Sequence, residues 1–421
     1  MKEKKQLLQH IASHYGTPTY VYDLDRIKIQ LQYLKDAFDW PMLDICYAMK
    51  ANYNPDVLKA LRAAGAHIDA VSPGDLCMAL QCGFDVSKII YTANNMKNAE
   101  VEEVMKTGVL MNIDSLSRLD KFAQKYPGTR VCLRFNPDVV DGEHDKIKTG
   151  GDLTKFGILL EDTDKAALIA KGGSLKIVGL HEHTGSGLKK SDSILNAMKN
   201  IMSIATPARF PDLEFLDFGG GFKVPYTRDE RQVDYKKIGK DIVLLFKNFC
   251  DDYGKQLRLI FEPGKFLTAQ AGVLLVEVNT IKQNRAKTIC GTDSGFPQLI
   301  RPMFYDACHH IENITNPDGL LKKYDICGNI CETGDLFAKE RLISEIREGD
   351  ILSINDAGAY CYAMGGVYNL RPMPAEVVLD DNNIHLSRKR LTPEQLISLI
   401  LAETDDTLQQ QPVRFAGSLK N

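Results

Sequence analysis

Lys50 closes the apolar run ICYAM, so its amine should project from a strand end into the mouth of the fold that carries it. An amine in such a place loses water, which lowers its pKa and makes it a candidate nucleophile toward an aldehyde. On its own it could as well be an ion-paired or snorkelling lysine. Further along, Gly219-Gly220-Gly221 can bring backbone N–H groups close to an anion, and Ser186 in HTGSG can add a hydroxyl to the same anion. His183 offers a flat ring, and Glu262, in Glu262-Pro263-Gly264, a carboxylate. A triple glycine also suits a tight turn, and a lone histidine is more often a satisfied hydrogen-bonding residue. Together, though, these groups suit one ligand. Pyridoxal phosphate needs an amine for its aldehyde, a cradle for its phosphate and a carboxylate that keeps its ring nitrogen protonated.

The elements that must position these residues are legible as eight short apolar runs: 43–48, 67–71, 88–92, 109–113, 130–135, 175–181, 213–218 and 257–261. Segments of helical period separate them, the pattern of parallel strands joined by crossover helices. Asn54-Pro55, Ser72-Pro73 and Asp114-Ser115 supply helix starts, and Gly65 a stop. Eight such units predict a (β/α)8 barrel of about 250 residues, an α/β fold with its chemistry at the C-terminal ends of the strands. Polar residues collect there: Lys50, Asp69 with Ser72, Asn94 with Asn95, Asp114, Arg134 with Asn136, His183 with Ser186, the glycine run and Glu262. The glycines follow the seventh run and Glu262 the eighth, where barrels commonly hold a phosphate. After residue 265 the pattern changes to strand-like runs such as VLLVEVNTIK, KTICGTD, KYDICG and DILSIND. The expected domains are a barrel over 23–264, an all-β sandwich or barrel-like domain over 265–390 that also takes in 1–22, and a C-terminal helix with a polar tail over 391–421.

Composition narrows the partners. The 421 residues carry 52 basic and 55 acidic side chains, a net charge of -3, with no block of like charge to attract nucleic acid or an anionic membrane. A small molecule is the expected partner. No apolar run approaches the ~18 residues of a membrane-spanning helix, and MKEKKQLLQH lacks the apolar centre of a secretory signal, so a soluble cytoplasmic protein is expected. Ten cysteines without CxxC spacing suit reduced thiols. Cys308, His309, His310, Cys327 and Cys331 lack paired metal-ligand spacing, and no metal is expected.

From Gly16 to Val378 the chain resembles the fold-type III pyridoxal-phosphate amino-acid decarboxylases, most of all those acting on diaminopimelate. The resemblance is carried by YAMKAN (47–52), HxHxGS (181–186), GGGF (219–222), EPG (262–264), RPxxY (301–305), CExGD (331–335), GAY (358–360) and YN (368–369). It implies Lys50 joined to the cofactor aldehyde, His183 stacked on the ring, and Ser186 with Gly219, Gly220 and Gly221 at the phosphate. It also implies Glu262 at the pyridine nitrogen, Asp69 and Gly264 beside the cofactor, and Tyr360 reaching the phosphate. Cys331 would reprotonate the decarboxylated carbon, and Lys265, Arg301, Tyr305, Glu332 and Tyr360 would meet the substrate. The family places its site between two subunits with CExGD from the partner chain, so a homodimer is implied. The reaction implied is decarboxylation of meso-2,6-diaminopimelate, at its D-configured centre, to L-lysine and carbon dioxide, the last step of lysine biosynthesis. An acid such as Glu332 or Asp335 would suit the far amine of a diamino substrate, and Arg301 its far carboxylate through a two-pronged contact.

Three departures from the family pattern stand out. Lys265 replaces the usual arginine after EPG, HEHTGSG replaces HxHIGSQ, and Asp75 stands where a longer acid is common. They leave open an ornithine, lysine or D-amino-acid decarboxylase of the same fold. A catalytically silent binding protein and a phosphate-binding barrel enzyme without pyridoxal are the readings from other classes; intact Lys50 and Cys331 count against the former.

Overall fold

The computed structural model describes residues 2–402 apart from 143, 145, 147, 152, 153, 188–190, 228 and 382. The described chain divides into two compact units, one of Asp23–Gly272 with Gly358–Ala363, the other of 2–22, Val273–Ala357 and 364–402.

In the first unit all eight apolar runs become parallel strands of one closed barrel: Leu43–Ala48, His67–Ala70, Ile89–Tyr91, Leu110–Ile113, Arg130–Arg134, Lys176–His181, Phe215–Asp217 and Arg258–Phe261. The ring closes where Leu43 pairs with Leu259. Strands covered on both faces need apolar side chains on both, which is why the runs lack alternation. Cys46, Ile90, Cys132, Val178, Phe215 and Ile260 form a buried cluster of the barrel. Gly179 has a packing reason: a Cβ there would fall 2.0 Å from Cζ of Phe215, so the missing side chain makes room for the ring. The crossover helices start as their caps require. Asn54 accepts from the N–H groups of Asp56 and Val57, Ser72 from that of Asp75, and Ser115 from that of Arg118.

The second unit is built on a mixed sheet in the order Leu336–Ser344, Leu321–Cys327, Thr288–Thr292, Gly272–Gln283, Thr19–Asp23, Ala375–Asp380, Asn383–Arg388, with Ile311–Asn313 and Ile351–Ile354 attached beside it. Thr288–Thr292 and Leu321–Cys327 run parallel. The N-terminal segment adds a helix, Lys2–Tyr15, as well as a strand. Leu8, Ile11 and Ala12 of that helix pack with Val21, Val273, Leu275, Ile314 and Val377.

The boundary expected at residue 264 is corrected on two counts. Lys265–Thr268 is a buried helical turn that stays with the barrel unit, where Gln30 donates to the Phe266 carbonyl and Tyr33 stacks on Phe266. Gly358–Ala363 return to that unit as well: Asn52 donates to the Gly358 carbonyl at 3.0 Å, and the Tyr360 N–H donates to the Ala51 carbonyl at 2.8 Å. The last helix is Pro393–Ala402; the expected polar tail beyond it lies outside the described residues. All ten cysteines are free. Among the described residues no helix is long and apolar enough to cross a membrane.

Candidate active site

At the C-terminal ends of the barrel strands lies a pocket. Lys50, His183, Ser186, Gly220, Gly221, Glu262, Gly264, Lys265 and Tyr360 line it. Each barrel contribution comes from just beyond a strand. Lys50 sits in the turn Met49–Ala51 after the first strand, His183 and Ser186 follow the sixth, the glycines the seventh, and Glu262 the eighth. The hydrogen-bonded barrel fixes these strand ends, so the side chains are placed by the scaffold and not by a loose loop.

Lys50 Nζ lies 2.6 Å from Oδ2 of Asp69, whose side chain is wholly buried on the second strand. The sequence expectation of a depressed lysine pKa is corrected here. Burial does work against the ammonium, but Asp69, Tyr360 and Glu262 outweigh it and raise Lys50 above its ordinary value. Asp69 is itself pushed up to about 7, by burial first and by Glu262 second, with Lys50 acting in the opposite sense. Lys50 is thus held as an ammonium beside a group that can take its proton.

Glu262 is held as a carboxylate. Burial would raise it, but the hydrogen bond from His181 and the Lys50 ammonium hold it down. His181 Nε2 donates to Glu262 Oε2 at 3.1 Å, while Oε1 is buried with no hydrogen-bond partner among the described residues. Asp217 completes the cluster; its carboxyl is raised by burial and by Glu262. His183 accepts the Gly220 N–H at Nδ1, at 3.2 Å, so the neutral ring carries its proton on Nε2. Burial, Arg134 and Lys50 push its pKa well down and keep it neutral. Sequence reasoning selected His183 and passed over His181 and Asp217. The signal was available: both are polar residues ending an apolar strand, and His181 begins the HxHxGS motif.

The glycine run is shaped by close approach. A Cβ on Gly220 would lie 2.4 Å from the Glu262 carbonyl oxygen, and one on Gly219, at φ 62°, would lie 2.6 Å from that of Glu182. The Gly219 N–H donates to Asp217 Oδ1 at 2.9 Å, and Gly220 and Gly221 line the pocket. Tyr360 adopts φ 56°, a conformation costly for an aromatic residue, and its hydroxyl lies 3.1 Å from where a Cβ on Gly264 would be. Lys265 is buried, with Nζ 5.9 Å from the centre of the Tyr226 ring.

The remaining sequence-selected residues belong to the second unit. Arg301 and Tyr305 bound the helical turn Arg301–Tyr305, and Gly334 of the CExGD segment lies beside Met303 of that turn. Arg301 is buried and donates through Nη1 to His309 Nε2 at 3.3 Å; His309 in turn donates from Nδ1 to the Asn355 carbonyl at 2.9 Å. Burial and then Arg301 push His309 down to about 3, so it stays neutral and able to accept. Cys331 is exposed, its sulfur accepting from Asn369 Nδ2 at 3.2 Å, and Glu332 is exposed, accepting from the Tyr368 hydroxyl at 3.2 Å. Asp335 is buried and already accepts the N–H groups of Phe296 and Ile330, which makes it a loop-fixing residue. The cysteine and histidine cluster around 308–331 brings no metal-ligand set together among the described residues.

Residues 24–269 match the model of the pyridoxal-dependent decarboxylases, pyridoxal binding domain. The diaminopimelate decarboxylase of Methanothermobacter thermautotrophicus is 39% identical over 92% of this chain and 92% of its own. The chain belongs to the diaminopimelate decarboxylase family. The Aquifex aeolicus member of this family is 34% identical over 91% of each chain. The crystal structure of diaminopimelate decarboxylase from Helicobacter pylori complexed with L-lysine superposes with a TM-score of 0.87, at 31% identity over 94% of this chain and 99% of that one. The lysine/ornithine decarboxylase of Vibrio vulnificus, at 22% identity and a TM-score of 0.79, shares the fold.

The family's cofactor is pyridoxal phosphate, and the residues present fit it. Lys50 supplies the amine, Gly220 and Gly221 with Ser186 an anion cradle, and the buried Oε1 of Glu262 an acceptor for a ring N–H.

Proposed function

We propose that this protein decarboxylates meso-2,6-diaminopimelate to L-lysine and carbon dioxide, the last step of lysine biosynthesis, as a cytoplasmic homodimer. The observation that carries the reaction type is the coexistence in one pocket of an ammonium paired to a proton acceptor, Lys50 with Asp69, and a carboxylate, Glu262, with one oxygen left for a ligand.

Bound pyridoxal phosphate supplies an aldehyde that joins amines and a protonated ring that withdraws electrons from the carbon losing its carboxylate. Everything else is work for the chain. Lys50 must lose its proton before its amine can bond, and Asp69, 2.6 Å away with its carboxyl lifted to about 7, is placed to take it. Glu262 would hold the ring nitrogen, and as a carboxylate held below its ordinary pKa it would leave the proton there. The neutral His183 ring would pack against the cofactor without adding a positive charge that competes with that proton. Ser186, the glycine run, Gly264 and Tyr360 would hold the phosphate. Cys331 Sγ holds the proton returned to the product carbon, Glu332 meets the far ammonium, and Arg301 with Tyr305 the far carboxylate, with Lys265 and Tyr360 also facing substrate.

The homodimer reading is supported by the surroundings of Cys331. Met303, Phe304, Tyr368 and Leu370 are 42–52% exposed in the same unit, an apolar face that a second copy would cover while delivering Cys331 to a site. The substrate is tested by recording carbon dioxide release from meso-diaminopimelate, L-lysine, L-ornithine, L-arginine and D-ornithine. Release confined to the first is expected; preference for any other overturns the substrate and leaves the cofactor reading intact. Borohydride treatment of the holoenzyme should trap an adduct on Lys50.

A further inference from the structure

His181, Asp217 and Glu262 end or follow three neighbouring barrel strands, and His181 and Asp217 are paired directly across two of them. All three are buried, and their ligand-capable atoms lie within 4.8 Å of one another. Glu262 lines the pocket, whereas His181 and Asp217 are absent from its lining. Two acids and one imidazole packed this closely, away from water, cannot carry independent charges, because two unscreened carboxylates at this distance repel strongly. The hydrogen bonds decide where the charge sits. His181 donates to Oε2 of Glu262 at 3.1 Å, and the Gly219 N–H fixes Oδ1 of Asp217 at 2.9 Å. Asp217 and Glu262 also meet side chain to side chain, a contact that two acids can make only when one of them keeps its proton, and Oδ2 of Asp217 is buried with no other hydrogen-bond partner among the described residues.

We propose that His181 and Asp217 are positioning residues for Glu262, His181 as a neutral donor that anchors one oxygen and Asp217 as a neutral acid that packs behind it, so that Glu262 alone is charged and its free oxygen is turned to the ligand. The inference rests on the reading that Glu262 holds the ring nitrogen of pyridoxal phosphate. The direction of the pKa values agrees, with Asp217 raised and Glu262 lowered. The substitutions His181→Gln and Asp217→Asn would preserve these roles, since each introduces an amide that is neutral and can donate; a carboxylate role for Asp217 would not survive the change.

The test compares His181→Leu with His181→Gln and Asp217→Ala with Asp217→Asn, as holoenzymes. Readouts are the visible absorption of the bound cofactor against pH, the affinity of apoenzyme for pyridoxal phosphate, and kcat and KM separately. The Leu and Ala variants should lose cofactor affinity and kcat by about 10- to 100-fold, the range seen when a partner that orients a ligand is removed, with a displaced absorption-pH profile and little change in KM. The Gln and Asn variants should restore most of both. An Asn variant as impaired as the Ala variant, or a Leu variant with the native absorption profile, overturns the proposal. Should the Leu or Ala proteins fail to fold, the amide variants decide: native absorption profiles support it and displaced ones overturn it. Glu262→Gln is the control. If it leaves the absorption unmoved, the role of Glu262 is wrong and the inference falls with it; if it moves the absorption and His181→Leu does not, only the inference fails.

Discussion

The two groups of functional side chains are held in opposite ways. Around the barrel pocket the chain already supplies partners, Asp69 to Lys50, His181 to one oxygen of Glu262 and the Gly220 N–H to His183. Around Cys331 the chain leaves its groups in the open, with Cys331 and Glu332 exposed beside apolar side chains. The buried group is finished by folding, because groups removed from water must find partners within the protein. The exposed group is the one that the proposed homodimer would finish. On the proposed reading the contrast separates cofactor chemistry from proton delivery, and it can be broken experimentally.

The largest effect should come from Lys50→Ala, which removes both the amine and the partner of Asp69. Turnover should fall by roughly 10³-fold or more in a steady-state assay, and borohydride should no longer trap an adduct at this position. Next is Cys331→Ala, expected to cost about 10²-fold in kcat while leaving pyridoxal phosphate affinity unchanged. The sharper form mixes the two inactive proteins. If Cys331 serves a neighbouring copy, an equal mixture refolded together should regain about a quarter of native activity; no recovery from a verified mixed dimer would place both groups in one chain. Arg301→Ala should raise KM for meso-diaminopimelate by about 10- to 100-fold, the loss of a charged hydrogen-bonded contact, and Arg301→Lys should recover little of it.

The smallest effect concerns stability. His309 is pushed down to about 3 in the folded protein, against about 6.5 when unfolded. Between those values the unfolded chain binds the extra proton, so stability is fully present above about pH 6.5 and is lost as pH falls toward 3, by at most about 1.4 kcal/mol per pH unit from this group. Urea unfolding of the native protein and of His309→Gln at pH 4.5 and pH 7 should show a smaller difference between the two pH values for the variant.

Much of this was legible in the chain. The eight strands could be read because strands buried on both faces must be continuously apolar, and the rim could be read because each run ends on a polar residue. Three things could not. The direction of the Lys50 shift depends on Asp69, nineteen residues away in sequence and 2.6 Å away in space. The roles of His181 and Asp217 come from hydrogen bonds that only the closed barrel creates. The return of Gly358–Ala363 to the barrel unit has no local signal, because those residues are placed by the Ala51 and Asn52 backbone and side-chain contacts rather than by their own propensity.

That return has a practical outcome for anyone cutting the gene. A fragment ending at Gly272 would contain every barrel strand and still lack one wall of its pocket, because Tyr360 is encoded more than eighty codons downstream. The catalytic half of this chain is not a portable cassette, and a graft or split version must carry 358–363 along with it.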